Sequence, residues 1–154
     1  MNRSTRTRRS LLSALALTLI LGVQPALACS CHMGEAAQKL ENSARVFLGT
    51  VIRVEHLGTR NEVGDENIVV YFDDVEPLKG AKIEILHTAD NQAGCTGYWF
   101  KTDQRYLIYA FARGAQFDTM WCGGVIPQSG NVEAFDSEVA ELGELLARER
   151  TSEK

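Results

Sequence analysis

The feature that most restricts this chain is Cys29-Ser30-Cys31, because it stands directly behind what reads as an export leader. Arg3, Arg6, Arg8 and Arg9 form a positive start with no acidic residue, and an apolar stretch follows over residues 11–23. Ala26-Leu27-Ala28 then supplies an A-x-A cleavage site immediately before Cys29. The apolar stretch is shorter than a comfortable membrane span, and no later segment is apolar enough to cross a bilayer. Residues 1–28 therefore read as a signal peptide, and the mature chain is expected in the periplasm or outside the cell. Arg8-Arg9 resembles a twin-arginine signal, but general export ranks first. A lipobox would place a branched residue three before the cysteine and a small one two before it. Ala26 and Leu27 reverse that order, which favours a free α-amine on Cys29.

Cleavage would leave 126 of the 154 residues, enough for one domain with a real core. It would remove four arginines and no acid, moving the formal charge from −4 to −8. An acidic domain of this kind disfavours nucleic acid and anionic membrane surfaces as partners. All four cysteines, Cys29, Cys31, Cys95 and Cys122, lie in the mature part. An even count in an oxidising compartment makes disulfides the default, with three possible pairings. Cys29 and Cys31 sit near the upper limit of bridging distance on an extended segment, so each is expected to reach a distant partner. Cys29–Cys95 with Cys31–Cys122 is the arrangement preferred here, while the crossed alternative stays open on these residues alone. The loop-entropy model gives each bridge about 4.5 kcal/mol as an upper figure.

Residues 36–42 (AAQKLEN) read as a short helix. Residues 46–54 read as a long strand whose Gly49 marks a bulge or bend. The polar, glycine-bearing stretch 58–67 reads as a loop or hairpin tip, and residues 68–75 as a second strand, with a turn over 76–80. Alternation over 82–88 predicts a third strand, residues 105–113 a fourth and 118–122 a short fifth. Residues 90–97 form a loop carrying Cys95, and 123–131 a connector. Val139, Leu142, Leu145 and Leu146 lie at helical spacing in a C-terminal helix over 132–150, with Ser137 as a candidate N-cap. Residues 151–154 read as a disordered tail. Five strands with a short N-terminal and a C-terminal helix fit a mainly β, five-stranded OB-fold barrel over residues 29–150.

No nucleotide-binding glycine motif, H-E-x-x-H or G-x-S-x-G is present, and His32, His56 and His87 are scattered. Asp73-Asp74 reads as a solvated pair, since neighbours on a strand face opposite sides. Tyr98-Trp99-Phe100 and Trp121 read as packing against the disulfides. No nucleophile–base set is visible, so an enzyme is not expected. The remaining chemistry lies in Cys29-Ser30-Cys31-His32-Met33. Reduced, this is a set of soft ligands suited to copper or zinc. Oxidised, it is an extended edge whose first amine and carbonyl can close a five-membered chelate on a metal. An ordinary α-amine titrates at about 7.7–8.0, so a neutral fraction exists near neutral pH. Such an edge can fill the open position of a catalytic zinc.

Together these features resemble the tissue inhibitors of metalloproteinases and their netrin-like OB-fold. The resemblance rests on the leader ending before Cys29-Ser30-Cys31, on Val46-Phe47-Leu48-Gly49-Thr50-Val51, and on Val70-Tyr71-Phe72-Asp73-Asp74-Val75 followed by Lys79-Gly80. It continues through the glycine-flanked Cys95, Tyr106-Leu107-Ile108-Tyr109-Ala110 and Cys122-Gly123-Gly124, and covers most of residues 29–125. The resemblance supports the pairing Cys29–Cys95 and Cys31–Cys122. It implies that the amine and carbonyl of Cys29 chelate a protease's zinc in trans and that Ser30 enters its specificity pocket. The inhibitory ridge would comprise Cys29, Ser30, Cys31 and His32, with Asn91, Gln92, Ala93 and Gly94 before Cys95 as its second half. His32-Met33 stand where the family has a proline shortly after its C-x-C, and the family's third disulfide in this domain has no counterpart here.

The expected function is thus an exported metalloprotease inhibitor acting by binding. It would have no cofactor of its own, a zinc metalloendopeptidase as partner, and a monomeric state. The alternatives are a netrin-like binding module without inhibitory action, or a soft-metal binder using Cys29, Cys31, His32 and Met33. Non-reducing peptide mapping of the native mature protein is expected to return Cys29–Cys95 and Cys31–Cys122. A Cys29–Cys31 link, or free thiols, would overturn the pairing and the inhibitor reading together.

Overall fold

The computed structural model describes residues 34–90, 96–120 and 122–152. Helix α1 (Ala36–Asn42) leads into strand β1 (Arg45–Arg60), which turns back as β2 (Glu66–Lys79). Strand β3 (Ile85–Asp90), β4 (Arg105–Arg113), β5 (Gln116–Asp118) and β6 (Val125–Pro127) follow, and helix α2 (Val132–Ser152) closes the order. The strands form one six-stranded antiparallel sheet in the order β3-β2-β1-β4-β5, with β6 paired to β4.

Consecutive residues of β1 are buried because the strand has a core on each face. Phe47 and Val51 point into a cluster with Ile68, Val70, Phe72 and Leu86. That cluster is completed by Val54 and Val75, by residues of β4, β5 and β6, and by Ile83, Tyr98 and Phe100, with no helical member among the described residues. Val46 and Leu48 point the other way, into a cluster with Leu40 of α1, Leu107 and Tyr109 of β4, and Phe135 and Leu142 of α2. Strand β1 also pairs on both edges, with β2 along its length and with β4 from Arg45 to Thr50.

Gly49 does mark a bulge, although the extra residue lies on the partner strand. Leu48 pairs Glu76 and Thr50 pairs Asp73, so β2 spends one more residue than β1 there. Asp74 takes up the difference with φ 49°, and Arg105 Nη1 donates to its carboxylate at 2.6 Å. Glycine at position 49 lets Phe72 close over the strand, since an added Cβ would lie 3.1 Å from its Cδ1. Phe47 and Phe72 then meet edge to face at 5.2 Å between ring centres.

Several expectations are corrected. The sheet has six strands rather than five, because Val125–Pro127 pairs β4 within the stretch read as a connector. Strand β2 runs on through Glu76–Lys79, where a turn was expected. Pro77 is tolerated there because β3 pairs only with Glu66–Tyr71, leaving that edge free. The bulge also delays β3: its ladder starts at Ile85 against Tyr71, not at residue 82. Strand β5 is Gln116–Asp118 rather than 118–122. Asn131, not Ser137, caps α2, its Oδ1 accepting the Ala134 N–H at 3.0 Å. Thr151 and Ser152 belong to that helix rather than to a disordered tail. Tyr98 and Phe100 pack on Tyr106 and on each other, and Phe100 on Phe72, while Trp99 is half exposed; Cys29, Cys31 and Cys95, against whose disulfides packing was expected, lie outside the described residues. Trp121 lies outside the described residues. Among those residues no helix is long and apolar enough to cross a membrane.

Leu142 is fully buried between α2 and the sheet. Leu142→Ala is expected to cost about 3 kcal/mol in urea-induced unfolding, the usual penalty for a core cavity. A loss below about 1 kcal/mol would show that α2 is not part of the cooperative core.

Candidate functional site

The expected ridge residues Cys29, Ser30, Cys31 and His32, and Asn91, Gln92, Ala93, Gly94 and Cys95, all lie outside the described residues. The structure instead defines the places from which those segments leave. The first enters at Gly34 and Glu35, directly before α1. The second leaves β3 at Asp90 and returns at Thr96. The third anchor is Cys122, which is held in a disulfide and whose partner lies outside the described residues.

These three places converge. Thr96 forms an antiparallel bridge with Met120, two residues before Cys122. Gly34 and Cys122 line one cavity of about 410 Å³, together with Lys39 and Tyr109. Thr96 and Cys122 line a second of about 430 Å³, together with Asn61 and Val63 of the β1–β2 turn. The two cavities share Met120 and Cys122, and the neighbouring Thr119 side chain is buried. Its hydroxyl lies 2.9 Å from the Tyr109 carbonyl and 3.1 Å from that of Gly124, while the Gly124 N–H donates to the Met120 carbonyl at 3.1 Å. Thr88 Oγ1 of β3 donates to the Thr119 carbonyl at 3.3 Å, so the two ends of the strand order approach each other at this point.

The return at Thr96 depends on glycine. Gly97 has φ 64°, and a Cβ there would lie 1.7 Å from the Ala89 carbonyl oxygen. Only glycine allows the backbone so close, and the Tyr98 N–H then donates to that same carbonyl at 3.0 Å. Residues 89 and 98 are thereby tied together, and Asp90 and Thr96 stand at the two stems of the intervening segment.

The first anchor is held by a cluster that sequence reading missed. Tyr109 Oη donates to Glu138 Oε1 at 2.6 Å, Lys39 Nζ pairs with the same oxygen, and Lys39 stands 5.0 Å from the Tyr109 ring centre. Lys39, Tyr109 and Glu138 come from α1, β4 and α2, so the trio binds the helix after Gly34 to the sheet and to α2. At the far end of α1, Lys79 Nζ donates to the Leu40 carbonyl at 2.6 Å, a cation against a helix C-terminus. Burial, then the hydrogen bond to Glu138, pushes the Tyr109 phenol far above its ordinary range. The only sequence signal was amphipathic: Glu138 lies on α2 between Phe135 and Leu142.

Of the other residues considered, His56 is exposed on β1, its Nδ1 3.0 Å from Glu66 Oε2. His87 is half buried on β3, and Asp73 and Asp74 are exposed. Asp74 is ion-paired with Arg105. Among the described residues no group of three or more His, Cys, Asp or Glu could hold a metal ion. No protein-family model matches the sequence, and no curated protein matches it.

A phenol whose folded-state pKa is raised contributes stability that is fully present below the unfolded value, near 10, and is lost as pH rises toward the folded one. Stability is therefore expected to fall with pH above about 10, Tyr98 and Tyr106 adding in the same direction. Tyr109→Phe should lower stability at pH 7 by roughly 1–2 kcal/mol and make the alkaline slope shallower. An unchanged slope in urea titrations across that range would contradict the buried assignment.

Proposed function

We propose that this chain is an exported inhibitor of zinc metalloendopeptidases, built on an OB-type barrel in which β3 and β5 close the strand order β3-β2-β1-β4-β5. Support for closure comes from the hydrogen bond between Thr88 and the Thr119 carbonyl and from a strand core with no helical member among the described residues. An open sheet of this length would leave that face to water or to a helix.

The observation that carries the inhibitor reading is the convergence of Gly34, Thr96 and Cys122 on one end of the sheet. A ridge of two segments stapled side by side requires its stems to emerge together, and these do. In this reading Cys31 is the partner of Cys122, and Cys29 that of Cys95. The amine and carbonyl of Cys29 enter the protease cleft and occupy the zinc position that catalysis needs for water. Ser30 enters the adjoining pocket, with Asn91, Gln92, Ala93 and Gly94 beside it. The role is one of binding, so the chain supplies no nucleophile and needs no cofactor of its own.

The test assays a panel of zinc endopeptidases with protein starting at Cys29 and with a variant carrying one extra N-terminal alanine. Inhibition is expected from the first and loss of inhibition from the second, with both disulfides and thermal stability unchanged. Equal inhibition by both would remove the amine from the mechanism. No inhibition by either would leave a netrin-like binding module as the better reading.

A further inference from the structure

A polar cavity of about 410 Å³ lies apart from the anchors of the expected ridge. His87 and Thr88 of β3 line it together with Arg113 and Gln116 of the β4–β5 hairpin, and Leu57, Asn67 and Ile68 complete it. Arg113 and Gln116 are paired residues at the closed end of that hairpin. Among the described residues β3 and β5 share no backbone ladder, and the Thr88 hydroxyl spans them by donating to the Thr119 carbonyl. The cavity therefore sits at the seam of the strand order, where two edges approach without zipping. Its volume is within the range of small-molecule sites.

The lining holds an arginine and a histidine and no carboxylate, in a chain whose formal charge is −4. Arg113 Nη1 donates to Asp118 Oδ2 at 3.0 Å, and Asp118 is itself buried, with its Oδ1 accepting the Thr119 N–H at 2.8 Å. Both Asp118 oxygens are thus occupied, and the pair orients Arg113 through one nitrogen only. A guanidinium has five N–H groups, so an edge of it stays unused. His56 pairs with Glu66, whereas His87 has no hydrogen-bond partner among the described residues, and neither has the Gln116 amide. Asn67 is held in place by its Nδ2 donating to Thr59 at 3.0 Å. Leu57 and Ile68 add apolar surface beside these donors. We propose that this seam cavity binds a small carboxylate, its oxygens taken by the free guanidinium edge of Arg113 and by donors of His87 and Gln116. A planar fork matches a carboxylate in two places at once. A doubly charged phosphate would call for a second cation, and Arg113 already shares its charge with Asp118. The proposal goes beyond the inhibitor reading and does not depend on it.

The test titrates acetate and the uncharged acetamide, at constant pH and ionic strength, into the protein starting at Cys29, followed by amide chemical shifts. Acetate is expected to shift residues 87, 113 and 116 saturably, with a dissociation constant on the order of 1–10 mM for so small a ligand. Acetamide should bind at least about tenfold more weakly, because it lacks the charge. Arg113→Gln should weaken acetate about tenfold. His87→Leu, which leaves the Arg113–Asp118 pair intact, should do the same, and Arg53→Gln, outside the cavity, should change nothing. Succinate binding more tightly than acetate would assign the site to a free acid, and N-acetyl-alanyl-alanine doing so would assign it to a peptide C-terminus. Equal shifts from acetate and acetamide would overturn the proposal. So would acetate binding that survives both Arg113→Gln and His87→Leu, or the absence of any saturable shift at these residues.

Discussion

Everything described in this molecule depends on β1 being buried on both faces and paired on both edges. Phe47 and Val51 belong to the strand core, and Val46 and Leu48 to the layer under the helices. A strand in that position is held in register, because a slip of one residue would exchange its two faces and misplace every apolar side chain. The register then fixes β4, whose Tyr106, Ile108 and Ala110 face one core and whose Leu107 and Tyr109 face the other. From Tyr109 the order passes through the Thr119 hydroxyl to the wall carrying Cys122. The Cys122 anchor is thus tied through Thr119 to the buried centre of the sheet.

Polar groups inside this scaffold are few and are used as fasteners. Thr119 joins β4 to the Gly124 carbonyl, the Lys39–Glu138–Tyr109 trio joins both helices to the sheet, and Asp65 joins the hairpin tip to Thr96. Each stands where a segment leading toward the expected ridge leaves the body of the domain. A small acidic domain gains specificity of arrangement from such bonds more than net stability, since a buried hydrogen bond contributes only about 1 kcal/mol. Binding by a preorganised ridge benefits from that arrangement, because ordering a loose segment on contact would cost affinity.

What was legible in the sequence was local. Helix α1 falls on residues 36–42 as expected, because its short apolar periodicity stands between clear breaks. The bulge at Gly49 and the two-strand hairpin were also readable from glycine placement and alternation. What was hidden depends on partners far along the chain. The start of β3 is set by a bulge in β2, and β6 exists because β4 offers an open edge beside a stretch rich in turn residues. Asn131 rather than Ser137 is the cap because the helix starts at Val132, five residues before Ser137. Asp65 lies in the stretch read only as a polar loop or hairpin tip, and nothing adjacent in sequence announces its bond to Thr96. The ridge residues themselves were picked out by their resemblance to a known family, and they lie outside the described residues.

The central claim, that a mature N-terminal cysteine caps a protease zinc, is tested most directly by calorimetric titration of a susceptible catalytic domain. The titration is run with the zinc present and after its removal, using protein that starts at Cys29. Capping predicts tight binding to the zinc-loaded domain, displacement by a small active-site chelator, and a collapse of affinity for the metal-free domain. Equal affinity for both forms, unaffected by the chelator, would contradict it.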